Sequence, residues 1–134
     1  MFRFHYKYFF ISVLIFLIEL SIALFNFNNF IRYYLGDILV VILIYTSSRT
    51  ILNSDIKITA FAILIFSFTT EIFQYFGGVT LLGLKNNTIA RIIIGTTFSW
   101  IDLLAYSIGF GIIIILEKIN LSHQHTLANM KTVR

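Results

Sequence analysis

Apolar residues fall in four long runs broken by short polar stretches, and each run is longer than a buried helix of a small soluble domain needs. The first, residues 9–25, follows a basic segment with Arg3 and Lys7. At about 1.5 Å per residue its 17 residues cover roughly 26 Å, enough to cross a bilayer with snorkelling ends. Glu19 interrupts it and no small-x-small cleavage site follows, so it reads as an uncleaved span and not a signal peptide. A polar connection through Arg32, Tyr33 and Tyr34 leads to a second run, 36–52, opening on Gly36-Asp37. The third, 58–76, stops at Gly77-Gly78, a plausible helix end. The fourth occupies about 95–116.

This pattern predicts an all-α polytopic membrane protein, one domain over residues 1–134 forming a four-transmembrane-helix bundle. Residues 117–134 carry no apolar face and are expected to be a mobile polar tail. The stretch Val79 to Thr97 stays open between three readings: an interfacial segment, a re-entrant one, or the start of the fourth span.

Composition strengthens the class. The 134 residues are 58% hydrophobic and 12% charged with a mean hydropathy of +0.89, against roughly 25% charged in soluble domains. There is no cysteine, which excludes a disulfide framework and a thiolate metal site. A net charge of +4 raises the question of nucleic acid, but the basic residues stand at span ends, so no nucleic-acid partner is expected. His123 and His125 lack a third ligand nearby, and no metal or cofactor is expected.

The ten Lys and Arg residues set the orientation. Arg3, Lys7, Arg49, Lys57, Lys118, Lys131 and Arg134 make seven on the side holding both termini, against three, Arg32, Lys85 and Arg91, on the other. Cytoplasmic loops carry the excess, so both termini are expected in the cytoplasm. Arg49 is expected to snorkel to that interface.

That topology turns scattered polar residues into a pattern. Glu19, Asp37, Glu71 and Asp102, one acid per span, all lie toward the outer face, with Arg32 and Arg91 in the connections there. An acid inside a spanning helix costs about 2.5 to 3.5 kcal/mol on insertion scales and marks a functional site by default. Helical spacing adds stripes: Ser67, Thr70, Glu71 and Gln74 on the third span, and Gly95, Ser99, Asp102, Tyr106 and Gly109 on the fourth. Ser12, Glu19, Ala23 and Asn26 form a looser one on the first, while the second span shows only Asp37 and Ser48. Gly109-Phe110-Gly111 reads as a close-packing surface.

Glu71-Ile72-Phe73-Gln74-Tyr75-Phe76 resembles the E-x-x-Q-x-F signature of VanZ-like membrane proteins, and Asp102 through Gly109 is similar to their D-x-x-x-N-x-x-G, with Tyr106 in place of Asn. More closely, the chain resembles small bacterial membrane proteins catalogued as domain of unknown function 2809, over about residues 8–116. The matching positions are Phe30-Ile31-Arg32, Gly36-Asp37, Glu71 with Gln74, Ala90-Arg91 with Gly95, and Phe98 with Asp102 and Tyr106. The resemblance implies a bacterial cytoplasmic membrane protein of the cell envelope. VanZ-like proteins are associated with low-level teicoplanin resistance through an envelope effect; this chain has Ser99 where they usually carry an acid.

The expected function is an outward polar pocket of Glu19, Arg32, Asp37, Glu71, Gln74, Arg91, Asp102 and Tyr106 that binds an anionic envelope ligand such as a lipid headgroup. The alternatives are an enzyme using Glu71 and Asp102 as acid and base on a lipid-linked substrate, or a small transporter. The inner halves of the spans offer few polar residues, which speaks against transport.

Overall fold

The computed structural model describes residues 2–25 and 27–133. Six α-helices follow one another: α1 (Tyr6–Leu24), α2 (Gly36–Ile51), α3 (Ile56–Tyr75), α4 (Gly78–Leu81), α5 (Thr88–Ile94) and α6 (Trp100–Thr132). Four helical stretches, those of α1, Ile31–Ile51, α3 and α6, are long and apolar enough to cross a membrane. Their outward faces carry exposed Phe, Leu and Ile, among them Phe10, Leu14, Phe16, Phe61 and Phe66. Such surface suits contact with lipid chains, because helices satisfy their backbone internally.

In α1 the buried residues Ser12, Ile15 and Ile22 and the half-buried Tyr8 and Glu19 recur every three or four positions, which makes one face. That face packs against α2, while α2 and α3 both pack against α6. Of the stripe expected on α1, Ala23 is exposed and Asn26 lies outside the described residues, as does Arg134 at the C-terminus.

The second span begins earlier than the hydropathy predicts. A π-helical turn, Ile31–Leu35, runs straight into α2 and gives a helical stretch of 21 residues from Ile31 to Ile51. Arg32 is therefore an exposed helix residue and not part of a loop. At the other end of α2 the extended segment before α1 supplies donors for carbonyls a helix terminus leaves unpaired: Arg3 N–H reaches Ile51 O at 2.9 Å and His5 N–H reaches Thr50 O at 2.8 Å. Asp55 then caps α3, accepting from the N–H groups of Lys57 and Ile58.

The open question over Val79 to Thr97 resolves into two short helices, α4 and α5, joined by turns. Gly77 makes the left-handed bend after α3, with φ of +69°, and the Asn87 side chain caps α5 by accepting from Ala90 N–H at 3.1 Å. The fourth span accordingly starts at Trp100, behind the cap of Ser99, and not at residue 95.

α6 extends through the stretch expected to be a polar tail. It continues as helix for 33 residues to Thr132, roughly 50 Å at about 1.5 Å per residue, well beyond a hydrocarbon layer of about 30 Å. No glycine or proline occurs after Gly111 to break it. The sequence turns polar after Leu116, yet the helix does not end there.

The core lies between α2, α3 and α6: Val41, Tyr45, Ala60, Ile63, Tyr106 and Ile113. Gly109 lets α2 and α6 approach, since a Cβ there would stand 3.0 Å from Ile38 O and 3.2 Å from Val41 Cβ. Gly111 faces open space, so only half of the expected Gly109-Phe110-Gly111 packing surface is one.

Candidate functional site

Polar side chains gather at both ends of the bundle. At the loop end, where α2 and α6 begin and α3 finishes, Glu71 is 1% exposed. Its two oxygens are both engaged: Oε2 accepts from Ser99 N–H at 3.2 Å and Oε1 from the Tyr106 hydroxyl at 3.1 Å. Ser99 is the N-cap of α6, so the carboxylate faces a helix N-terminus, where unpaired N–H groups and the helix dipole favour negative charge. This compensates for burying an acid at that depth.

Asp37 in the first turn of α2 and Asp102 in the first turn of α6 lie at this same end of the bundle. Tyr106, one turn further along α6 from Asp102, is tied to Glu71 through its hydroxyl. Of the eight residues expected at the site, Glu71 and Tyr106 are joined by a hydrogen bond, with Asp37 and Asp102 at the same end of the bundle and Glu19 half-buried on α1. Among the described residues no three acids or histidines converge as a metal ion requires.

The other three stand apart from them. Arg32 is exposed at the start of its helix. Gln74 and Arg91 line a separate pocket of about 290 Å³ formed by the end of α3, α4 and α5, together with Lys85, Asn86 and the backbone of Gly77 and Gly95. Gln74 Nε2 donates to Ile94 O at 2.6 Å and closes this pocket against the turn at Gly95. Gly95 has φ of +81°, and a Cβ on it would lie 2.5 Å from Gln74 Nε2. The single pocket of acids and arginines expected from the sequence is therefore two neighbouring features, an acid cluster inside the bundle and a basic cradle beside it. Helical spacing could not separate them, because the turns of 77–99 decide where Arg91 points.

The opposite, terminal end holds a cluster that the sequence reading missed. Glu117 is 6% exposed and Arg49 is 8% exposed. Glu117 Oε1 accepts from the hydroxyls of Tyr8 at 2.6 Å and Tyr45 at 2.8 Å. Arg49 does not snorkel: its guanidinium lies over the Tyr8 ring, 5.3 Å from the centroid, and donates to Ser54 O. The segment 2–5 pairs with the last turn of α2, and the arginine reaches the connection at 52–55. The signal was present as the four-residue spacing of Asp37, Val41, Tyr45 and Arg49 on α2.

Four apolar helices around a polar-ended core define a polytopic helical membrane protein. The chain belongs to the family described as Protein of unknown function (DUF2809), which it matches over residues 27–110. No curated protein and no solved structure matches it. The matched stretch contains Asp37, Glu71, Gln74, Arg91, Asp102 and Tyr106.

Proposed function

We propose that the protein sits in the bacterial cytoplasmic membrane with both termini in the cytoplasm and binds an anionic envelope lipid headgroup in the basic cradle at the loop end. The carrying observation is the convergence of Lys85, Arg91, Asn86 and Gln74 on one pocket of about 290 Å³, with no carboxylate among its described lining residues. Arg91 supplies a planar donor fork suited to phosphate or carboxylate, and Lys85 a second positive charge. Gln74 fixes the turn that shapes the wall. The Lys and Arg distribution and the bacterial family resemblance support the orientation and location.

In this reading the acid cluster is the buried neighbour that holds the ends of α2, α3 and α6 in place. Mass spectrometry of lipids retained by the protein purified in mild detergent tests it. Arg91→Ala and Lys85→Ala should lose an anionic lipid that the wild type keeps; identical lipids in all three would remove the support.

A second reading is acid–base chemistry on a lipid-linked substrate, of the VanZ-like kind. Both oxygens of Glu71 are already engaged, which leaves Asp37 and Asp102, at the same end of the bundle, as the pair for this reading. It predicts that Asp102→Asn abolishes a cellular phenotype while the protein still inserts and folds.

A further inference from the structure

We infer that the terminal end of the bundle carries a second binding site, for a phosphate ester whose substituent bears a hydrogen-bond donor, as in an ethanolamine headgroup. A pocket of about 410 Å³ opens between the segment before α1, the end of α2 and the middle of α6, lined among others by Arg3, His5, Lys7, Arg49 and Glu117. Arg3, Lys7 and Arg49 bring three positive charges against the one carboxylate of Glu117, so the lining favours an anion. It is a built site and not a solvated rim. Arg49 and Glu117, more than nine-tenths buried, each keep one polar atom without a hydrogen-bond partner: Nε of the arginine and Oε2 of the glutamate. A buried polar atom left unpaired costs about 1 to 3 kcal/mol, and both of these belong to ionisable side chains.

His5 Nε2, on the same lining, is a third unpaired atom; of the three, those of Arg49 and Glu117 have opposite needs. Arg49 Nε requires an acceptor, which a phosphate oxygen supplies. Glu117 Oε2 requires a donor, which an ammonium or hydroxyl on the ester substituent supplies. Neither a bare phosphate nor a bare amine satisfies both. The rest of the cluster holds the pair in position: Tyr8 and Tyr45 occupy the other carboxylate oxygen, and Tyr8 and the Ser54 carbonyl hold the guanidinium. Lys7 reaches across to Asn120 Oδ1 at 2.7 Å and closes one side of the mouth. Exposed Arg3 and Lys7 stand at the entrance, where a phosphate would first arrive. The apolar run of α6 ends at Leu116, so Glu117 and the pocket adjoin the polar part of the helix.

The full-length protein in detergent is titrated with short-chain phosphatidylethanolamine, phosphatidylglycerol and phosphatidylcholine, and in separate arms with free phosphoethanolamine and inorganic phosphate. Ethanolamine and glycerol esters should bind at least tenfold more tightly than the choline ester, whose quaternary nitrogen has no donor. Arg49→Gln should weaken them tenfold or more, and Glu117→Gln should shrink the preference over choline. Because these two are buried, Lys7→Gln at the exposed rim is the control for misfolding and should weaken binding several-fold. The titrations are also run in an Arg91→Ala background, which disables the loop-end cradle; the binding that survives there belongs to the terminal pocket, and its complete loss would overturn the site. Binding of the free ester as tight as that of the lipid would identify a soluble ligand; binding of the lipid only would identify a headgroup. Choline binding equal to ethanolamine binding, or Lys7→Gln and Arg49→Gln both binding as the wild type does, would overturn the site.

Discussion

The Tyr45 hydroxyl donates to Glu117 Oε1 at 2.8 Å, joining α2 to α6 across 72 residues of chain. Tyr8 donates to the same oxygen from α1 at 2.6 Å, so one carboxylate ties three helices together. Sharing an acceptor makes the two bonds interdependent. Tyr45→Phe and Tyr8→Phe should each destabilise the protein by about 1 kcal/mol, and the double variant by more than the sum, because either hydroxyl partly compensates for the other. Thermal unfolding in detergent followed by circular dichroism reads the difference; strict additivity would mean the two bonds are independent.

Glu71 presents the same logic at the loop end. Glu71→Ala removes the acceptor for both Ser99 N–H and the Tyr106 hydroxyl and should cost about 2 to 4 kcal/mol. Glu71→Gln keeps one acceptor oxygen and should cost less. Unfolding midpoints rank the two, and equal losses would show that charge and not hydrogen bonding holds this junction.

Gly95 is required twice, by its φ of +81° and by Gln74 standing against it. Gly95→Ala should push Gln74 off the Ile94 carbonyl and strain the backbone by about 1 to 2 kcal/mol. Hydrogen exchange in Thr88–Ile94 should then accelerate while α3 stays protected. Unchanged protection in α5 would mean that the turn does not depend on this contact.

Gly109 and Gly111, two residues apart, should respond oppositely. Gly109→Val meets the α2 backbone at Ile38 O and should cost about 1 to 3 kcal/mol by overpacking. Gly111→Ala meets nothing within 4 Å and should be neutral or stabilising by up to about 1 kcal/mol, since alanine is the better helix former. Reversal of this order in melting experiments would contradict the α2–α6 packing.

The proposed orientation is testable because the chain has no cysteine of its own. Single cysteines replacing Asn28 or Asn86 should react with an impermeant maleimide added to intact cells. One replacing Asn129 should react only after permeabilisation. The opposite labelling pattern would invert the topology.

The number of spans, their order and the burial of Glu71 and Tyr106 were legible in the sequence, because lipid forces backbone pairing into helices and leaves polar stripes only the bundle interior to face. The start of the second span was not, since the π-turn at Ile31–Leu35 carries Arg, Tyr and Tyr that read as a connection. Nor was the continuation of α6, where hydropathy falls but helix propensity does not. The sequence by itself determined a four-span membrane protein and pointed to Glu19, Asp37, Glu71 and Asp102 as acids inside or at the ends of its spans. Tertiary structure alone decided which polar groups meet: it set Arg91 on one pocket with Gln74 and Lys85, and it buried Arg49 near Glu117 beside a segment folded back from the N-terminus. Periodicity reports the face a residue occupies on its own helix. The partner across from it depends on crossing angles and turns that no single helix encodes.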